Sequence, residues 1–358
     1  MLYSIILQEV INFMTRRILF FSFALVLLSA VHSSAFDEQI KWSADIDAPL
    51  TSGITVHGNI LILGDKSGTL HALSRDTGAE IWTYTGSSMI LGTPAIISNE
   101  VIFAHEGGEI SCVDISDGSL IWQSLPVSDS GGSFNDGISC GGGLVFAAKT
   151  DGEIFAIDAF TCEDVWTYQA RQGLRTAPAY GEGFVFQGEY DGLFSIIDAK
   201  TGERINGGGA GGAVNTPAVR DGKVYFSAAD GSVQSVQIQD VIPLWSINVK
   251  DPVTTSPALG GNIIAVGTAR GYVFALNEPD GKTLWQYDTK GGSITALPVV
   301  ADGLVFAGGG DGVMHMLDAG TGKELHRFTT KQGIETNPAY SDGVLYFGGN
   351  RGIIYALQ

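Results

Sequence analysis

Six histidines, three cysteines and one run of glycines are the residues from which this chain could build a metal site, a nucleophile or a phosphate cradle. Histidine ligands for a metal come at short, regular spacings on one element. His32, His57, His71, His105, His315 and His326 have none. Serine and aspartate recur so evenly that no serine–histidine–aspartate set can be singled out. A phosphate loop needs glycines that lead into a helix, with a lysine to meet the charge. Gly207–Gly212 precedes a strand, lacks that lysine and reads as a flexible connection. No two of Cys112, Cys140 and Cys162 are adjacent.

The elements that would position these groups repeat. Gly68, Gly108, Gly152, Gly192, Gly231, Gly271, Gly312 and Gly352 follow one another at gaps of 40, 44, 40, 39, 40, 41 and 40 residues. A period in this range marks one supersecondary unit copied around an array. Fourteen residues after each of the first seven glycines stand Trp82, Trp122, Trp166, Asn206, Trp245, Trp285 and His326. The eighth glycine has no partner before Gln358, and an orphan Trp42 lies 40 residues before Trp82. A strand at Gln39–Ala44 that completes the last unit closes the array into a ring, which removes the free sheet edges of an open solenoid.

Within each unit, short apolar runs such as Phe184–Gly188 and Leu193–Asp198 are separated by Asp-Gly and Thr-Gly turns, the mark of antiparallel meander strands. Pro94, Pro178, Pro217, Pro257, Pro298 and Pro338 share one column where the inner strand begins and no ladder donor is yet needed. The tryptophans are read as apolar wedges between units. The fold expected is an all-β, eight-bladed propeller of four-stranded antiparallel blades, occupying residues 36–358.

Counting back from the marker glycine aligns the inner-strand entrances as Thr51, Leu91, Asn135, Arg175, Val214, Thr254, Thr295 and Glu335. This ring carries one base and one acid, in blades 4 and 8. The marker turns and the connections from one blade to the next are expected on the same face, where Arg175 and Glu335 lie. The one long insertion, within 126–134, falls there too, and loops carry binding function more readily than blades. Asn135, Leu174, Arg175 and Glu335 are the candidate partner-binding residues.

Cys140 and Cys162 both replace usual turn residues of blade 3, and their turns fall on one face about two strand spacings of ~4.8 Å apart. A Cys140–Cys162 disulfide is the expectation, favoured by export. Cys112 lies in a column of alanines and is expected to be a buried thiol.

Arg16–Arg17, the apolar run Ile18–Val31 and Ser33–Ala35 have the three parts of a secretory signal. Residues 1–35 are therefore expected to be a removed signal peptide, with Met14 as a natural start. The apolar run is shorter than the roughly 20 residues of a membrane span. No cysteine precedes Cys112, so lipid attachment at a new N-terminus is not expected, and the mature protein is expected to be soluble in the periplasm or outside the cell. Loss of the segment takes the formal charge from −18 to −19, which disfavours nucleic acid and anionic lipid as partners.

The units Pro338-Ala-Tyr-Ser-Asp-Gly-Val-Leu-Tyr-Phe-Gly348 and Asp198-Ala-Lys-Thr-Gly202 resemble the pyrroloquinoline-quinone-like propeller repeat, and the resemblance covers essentially all of residues 38–358. Two branches of that family differ in what they imply. Quinoprotein dehydrogenases are longer, many carry adjacent cysteines, and they need several oxygen ligands for calcium. The entrance ring supplies one acid. The scaffold branch, of the BamB type, assists outer-membrane β-barrel assembly, and in it a Leu-Arg pair shortly before a Ser-Ala-Pro entrance contacts the partner. Leu174-Arg175-Thr176-Ala177-Pro178 is similar, with less spacing. The resemblance implies a non-enzymatic, monomeric scaffold for a protein partner in the cell envelope, with no cofactor. The alternative is a small quinoprotein dehydrogenase or another propeller that binds a ligand in its channel.

Overall fold

A computed structural model describes residues 40–124, 133–134 and 136–358. They form eight four-stranded antiparallel sheets with no helix among the described residues. Blade 1 runs through Thr55–His57, Ile60–Gly64, Thr69–Ser74 and Glu80–Thr85. Each later blade repeats this inner-to-outer order. Blade 8 takes Ala339–Ser341, Val344–Gly348 and Ile353–Leu357 from the C-terminal end and its outer strand, Ile40–Asp45, from the other. Trp42 pairs with Ala356 and Asp45 with Ile353, so the expected closure through the N-terminal strand is present.

The marker glycines explain the period. Each lies at φ between +82° and +96°, in the turn from the second to the third strand. Among the described residues the carbonyls of all of them but Gly108 accept the N–H that ends the outer strand, as in Gly86 to Gly68, Ala170 to Gly152 and Ile46 to Gly352. An added Cβ on Gly68 would stand 2.6 Å from the Ser88 carbonyl, and one on Gly312 2.5 Å from that of Gln332. Side chains are excluded by conformation and by space together. The same contacts put the marker turns and the interblade connections on one face.

The tryptophans seal each joint. The indole N–H of Trp42, Trp82, Trp122, Trp166, Trp245 and Trp285 donates to a carbonyl of the following blade at 2.7–3.0 Å. Each ring lies against that blade's last turn. A Cβ on Gly78, Gly118, Gly202, Gly281 or Gly322 would meet the preceding tryptophan at 2.5–2.7 Å. Where Asn206 replaces tryptophan, the next blade has Val241 at the glycine position, and Val241 packs on the joint. Blade 8 has no such turn, because its outer strand comes from the other end of the sequence, and the facing column position is His326.

Two expectations change. Gly207–Gly209 are not part of a connection. They belong to the outer strand Arg204–Gly209 and pair with Ser195, Phe194 and Leu193. All three cysteines are free thiols, so the structure does not contain the expected Cys140–Cys162 disulfide. Cys140 lies in the first strand of blade 3 rather than in its turn, and Cys162 sits at φ +61° in the position glycine holds elsewhere. Both pack on the cluster that encloses Cys112. The proposed signal segment 1–35 lies outside the described residues.

Candidate partner-binding face and central channel

The entrance ring is where the sequence placed its candidates, and hydrogen bonds show what the ring does. Thr51 Oγ1 donates to the Ile90 carbonyl (2.6 Å), Thr254 to Ile294 (2.6 Å) and Thr295 to Ile334 (2.8 Å). Each bond runs from one blade to the next. In blade 5 the same bond comes from Asn215, whose Nδ2 reaches the carbonyls of Val253 (3.3 Å) and Thr255 (3.1 Å). Val214, which the glycine count places in the ring, is buried and bridges to Ala228 as Leu50 does to Asp65. Blade 5 is one residue short between Thr216 and Pro217, so counting back from the glycine slips by one. Asn215 is the ring residue.

Threonine or asparagine thus latches the joints that follow blades 1, 5, 6 and 7. Leu91 has no donor, Arg175 turns to Tyr190 and Glu335 accepts from Asn350 instead, and Asn135 lies outside the described residues. Among the described residues the departures fall in blades 2, 4 and 8. Arg175 is exposed, with its guanidinium 5.6 Å from the centre of the Tyr190 ring, itself 58 % exposed. That separation suits a cation–π contact. Arg171 and Gln172 are exposed beside it. Glu335 is exposed at the channel rim in blade 8, where it accepts from Asn350 Nδ2 at 3.3 Å. Arg175 and Glu335 share a face but not a site, since half the ring separates them.

Leu174 is not on that face. It is 2 % exposed, in a cluster with Phe146, Ala148, Ile154, Val185 and Ile197, and so packs the joint between blades 3 and 4. Tyr190 was missed by sequence reasoning, although it is the one aromatic at its position before a marker glycine. Asp136 was missed as well. Its carboxylate accepts from the N–H groups of Gly137 (2.8 Å) and Ala177 (2.9 Å) and from the Thr216 hydroxyl, which ties blade 3 to blades 4 and 5. Burial pushes this acid above the usual aspartate range despite those donors.

The strands open around a central cavity of about 560 Å³, lined by Thr51, Asp136, Thr176, Asn215, Thr254 and Glu335 among others. Most of its hydroxyls are spent on the protein. Besides the ring latches, Ser52 Oγ accepts the Gly64 N–H, Thr255 Oγ1 accepts that of Gly267, and Thr336 Oγ1 donates to the Gly348 carbonyl. Among the described residues no three His, Cys, Asp or Glu side chains converge as a metal site would require. The channel is built as the hub of the ring.

Comparison with known proteins agrees with this architecture. The family model described as "Outer membrane protein assembly factor BamB" matches residues 31–131, 106–205 and 209–358. The outer membrane protein assembly factor BamB of Yersinia pestis is 22 % identical over 274 residues, spanning 72 % of this chain and 69 % of that protein. That of Escherichia coli K12 is 22 % identical over 312 residues, spanning 80 % and 76 %. The crystal structure of BamB from Moraxella catarrhalis superposes with a TM-score of 0.75 at 21 % identity, covering 88 % of this chain and 96 % of that one.

Proposed function

The chain belongs to the outer membrane protein assembly factor BamB family, and from that membership we propose an exported, non-catalytic propeller that binds protein partners in the cell envelope during outer-membrane β-barrel assembly. The family match along residues 31–358 supports the scaffold role. One observation carries the placement of the binding face. Ring positions that elsewhere latch blade to blade are given up in blades 2 and 4, and in blade 4 Arg175 stands exposed over an exposed Tyr190. An arginine on an aromatic is a rigid, amphipathic anchor of the kind that dominates interfaces. Leu174 supports it from below by fixing the loop.

The signal-like segment at 16–35 supports export, with a mature protein that starts near Phe36, stays soluble without a lipid anchor and is monomeric. N-terminal sequencing of the protein recovered from the envelope checks the cleavage. The binding face is tested by Arg175→Glu. The variant is expected to weaken capture of the envelope partner about tenfold or more, since losing a charged anchor and adding a like charge costs over 1.4 kcal/mol, while the melting temperature stays unchanged. Equal capture by wild type and variant moves the partner site away from blade 4.

A further inference from the structure

Edge strands present unpaired backbone groups, and proteins guard them with charge or proline. Seven of the eight outer strands follow that rule. Ile40–Asp45 carries Lys41, Glu80–Thr85 carries Glu80, Asp164–Gln169 carries Asp164, and Arg204–Gly209 carries Arg204. Pro243, Asp288 and the Glu324–Arg327 pair guard the outer strands of blades 5, 6 and 7. The outer strand of blade 2, Leu120–Gln123, has neither charge nor proline. Leu120 and Ile121 are 49 % and 45 % exposed, and together they form the bulge of this strand, since Trp122 pairs with Cys112 and Leu120 already with Val113. Two apolar side chains are therefore exposed at the edge.

Charge around this edge is one-sided. Between Gly86 and Ser124 the chain has Glu100, Glu106, Glu109, Asp114 and Asp117 and no lysine or arginine. Asp114 and Asp117 lie in the turn that leads into the outer strand. Hydrogen bonds from the Ser119 side chain and backbone hold Asp117 below the usual aspartate range, so it stays ionised. At the other end Ser124 and Ile110 exchange hydrogen bonds, which brings the strand terminus beside the turn of Glu106 and Glu109. An apolar strip with carboxylates at both ends selects by charge as well as by backbone pairing.

We infer that the outer edge of blade 2 takes up an extended segment of another polypeptide as a fifth strand, a segment with alternating apolar side chains and lysine or arginine on its flanks. This site is separate from the Arg175 face and does not rest on it. The probe is a fluorescent peptide of about ten residues, a common upper length for a strand, with alternating valine and threonine between paired lysines. Anisotropy titration of the mature protein is expected to show saturable binding. Ile121→Lys places at this edge the residue that blade 8 carries as Lys41, and Leu120→Glu the one blade 1 carries as Glu80, so both variants keep the fold. Each is expected to weaken binding about tenfold or more, while Arg175→Glu leaves it unchanged. Peptide N-methylated on alternate residues along its pairing edge should not bind. The inference is overturned by absent wild-type binding, by equal binding to Ile121→Lys, by equal affinity for a glutamate-flanked peptide, or by loss of binding in Arg175→Glu. It is also overturned if the wild-type protein is a dimer that Ile121→Lys converts to monomer, because the occupant is then a second copy.

Discussion

Cys112, on the third strand of blade 2, is fully enclosed, and Cys140 and Cys162 pack on the same cluster from blade 3. Thiols react as thiolates, and burial opposes that charge. It pushes Cys140 up to about 12. Cys112 is raised further, by burial first and then by the carboxylate of Glu100, whose Oε2 lies 3.6 Å from its sulfur. Cys162 is raised by burial and by Asp164. At pH 8 the native protein is therefore expected to react slowly with a thiol reagent. Denatured, unreduced protein should release three fast thiols. A count of one would restore the Cys140–Cys162 bridge that the paired departures from the turn pattern suggested.

Between elements, the tryptophan and the turn glycine of the next blade act as one unit. At Gly281, φ is +70° and an added Cβ would stand 2.5 Å from Trp245. Gly281→Ala is expected to cost about 1–3 kcal/mol, from backbone strain and overpacking together. Val241→Ala at the equivalent turn, which faces Asn206, should cost less than Gly281→Ala, because no indole presses there. Chemical denaturation compares them, and equal losses would mean that the indole does not impose the glycine. The joint pattern was legible because glycine and tryptophan are each demanded by a fixed local geometry. Positions without such a demand were not. Val214 was assigned to the ring because a one-residue deletion next to Pro217 leaves the glycine and proline signals intact while shifting everything before them. Leu174 and Arg175 are neighbours in sequence, yet one is buried in the joint between blades 3 and 4 and the other is exposed against Tyr190, and nothing in the repeat pattern separates them. Asp136 and Tyr190 acquire their roles from partners in other blades or turns, Thr216 and Ala177 for one and Arg175 for the other, and the repeat pattern does not encode those pairings.

For the whole molecule, closure turns eight marginal sheets into one cooperative body. Each blade buries its faces only against its neighbours, so the joint between blades 8 and 1 must hold with the two ends of the chain in one sheet. Trp42 packs on Tyr346 and donates to the Arg75 carbonyl at 2.9 Å. Arg75 reaches back across the joint to the Tyr346 hydroxyl (3.0 Å), the Ser341 carbonyl (3.1 Å) and the Asp342 carboxylate (2.6 Å). Removing Phe36–Ala44 deletes the outer strand of blade 8 and uncovers Ile353–Leu357 as a new edge. Trp42 burial alone is worth about 3–5 kcal/mol by analogy with large-to-small core substitutions, and a joint that opens exposes apolar faces on both sides. The truncated protein is expected to melt well below the mature chain and to aggregate in light scattering. Trp42→Ala, which keeps the strand, should fall between the two and remain monomeric. A truncated protein that melts within a degree or two of the mature chain would mean that the ring is held without its N-terminal strand.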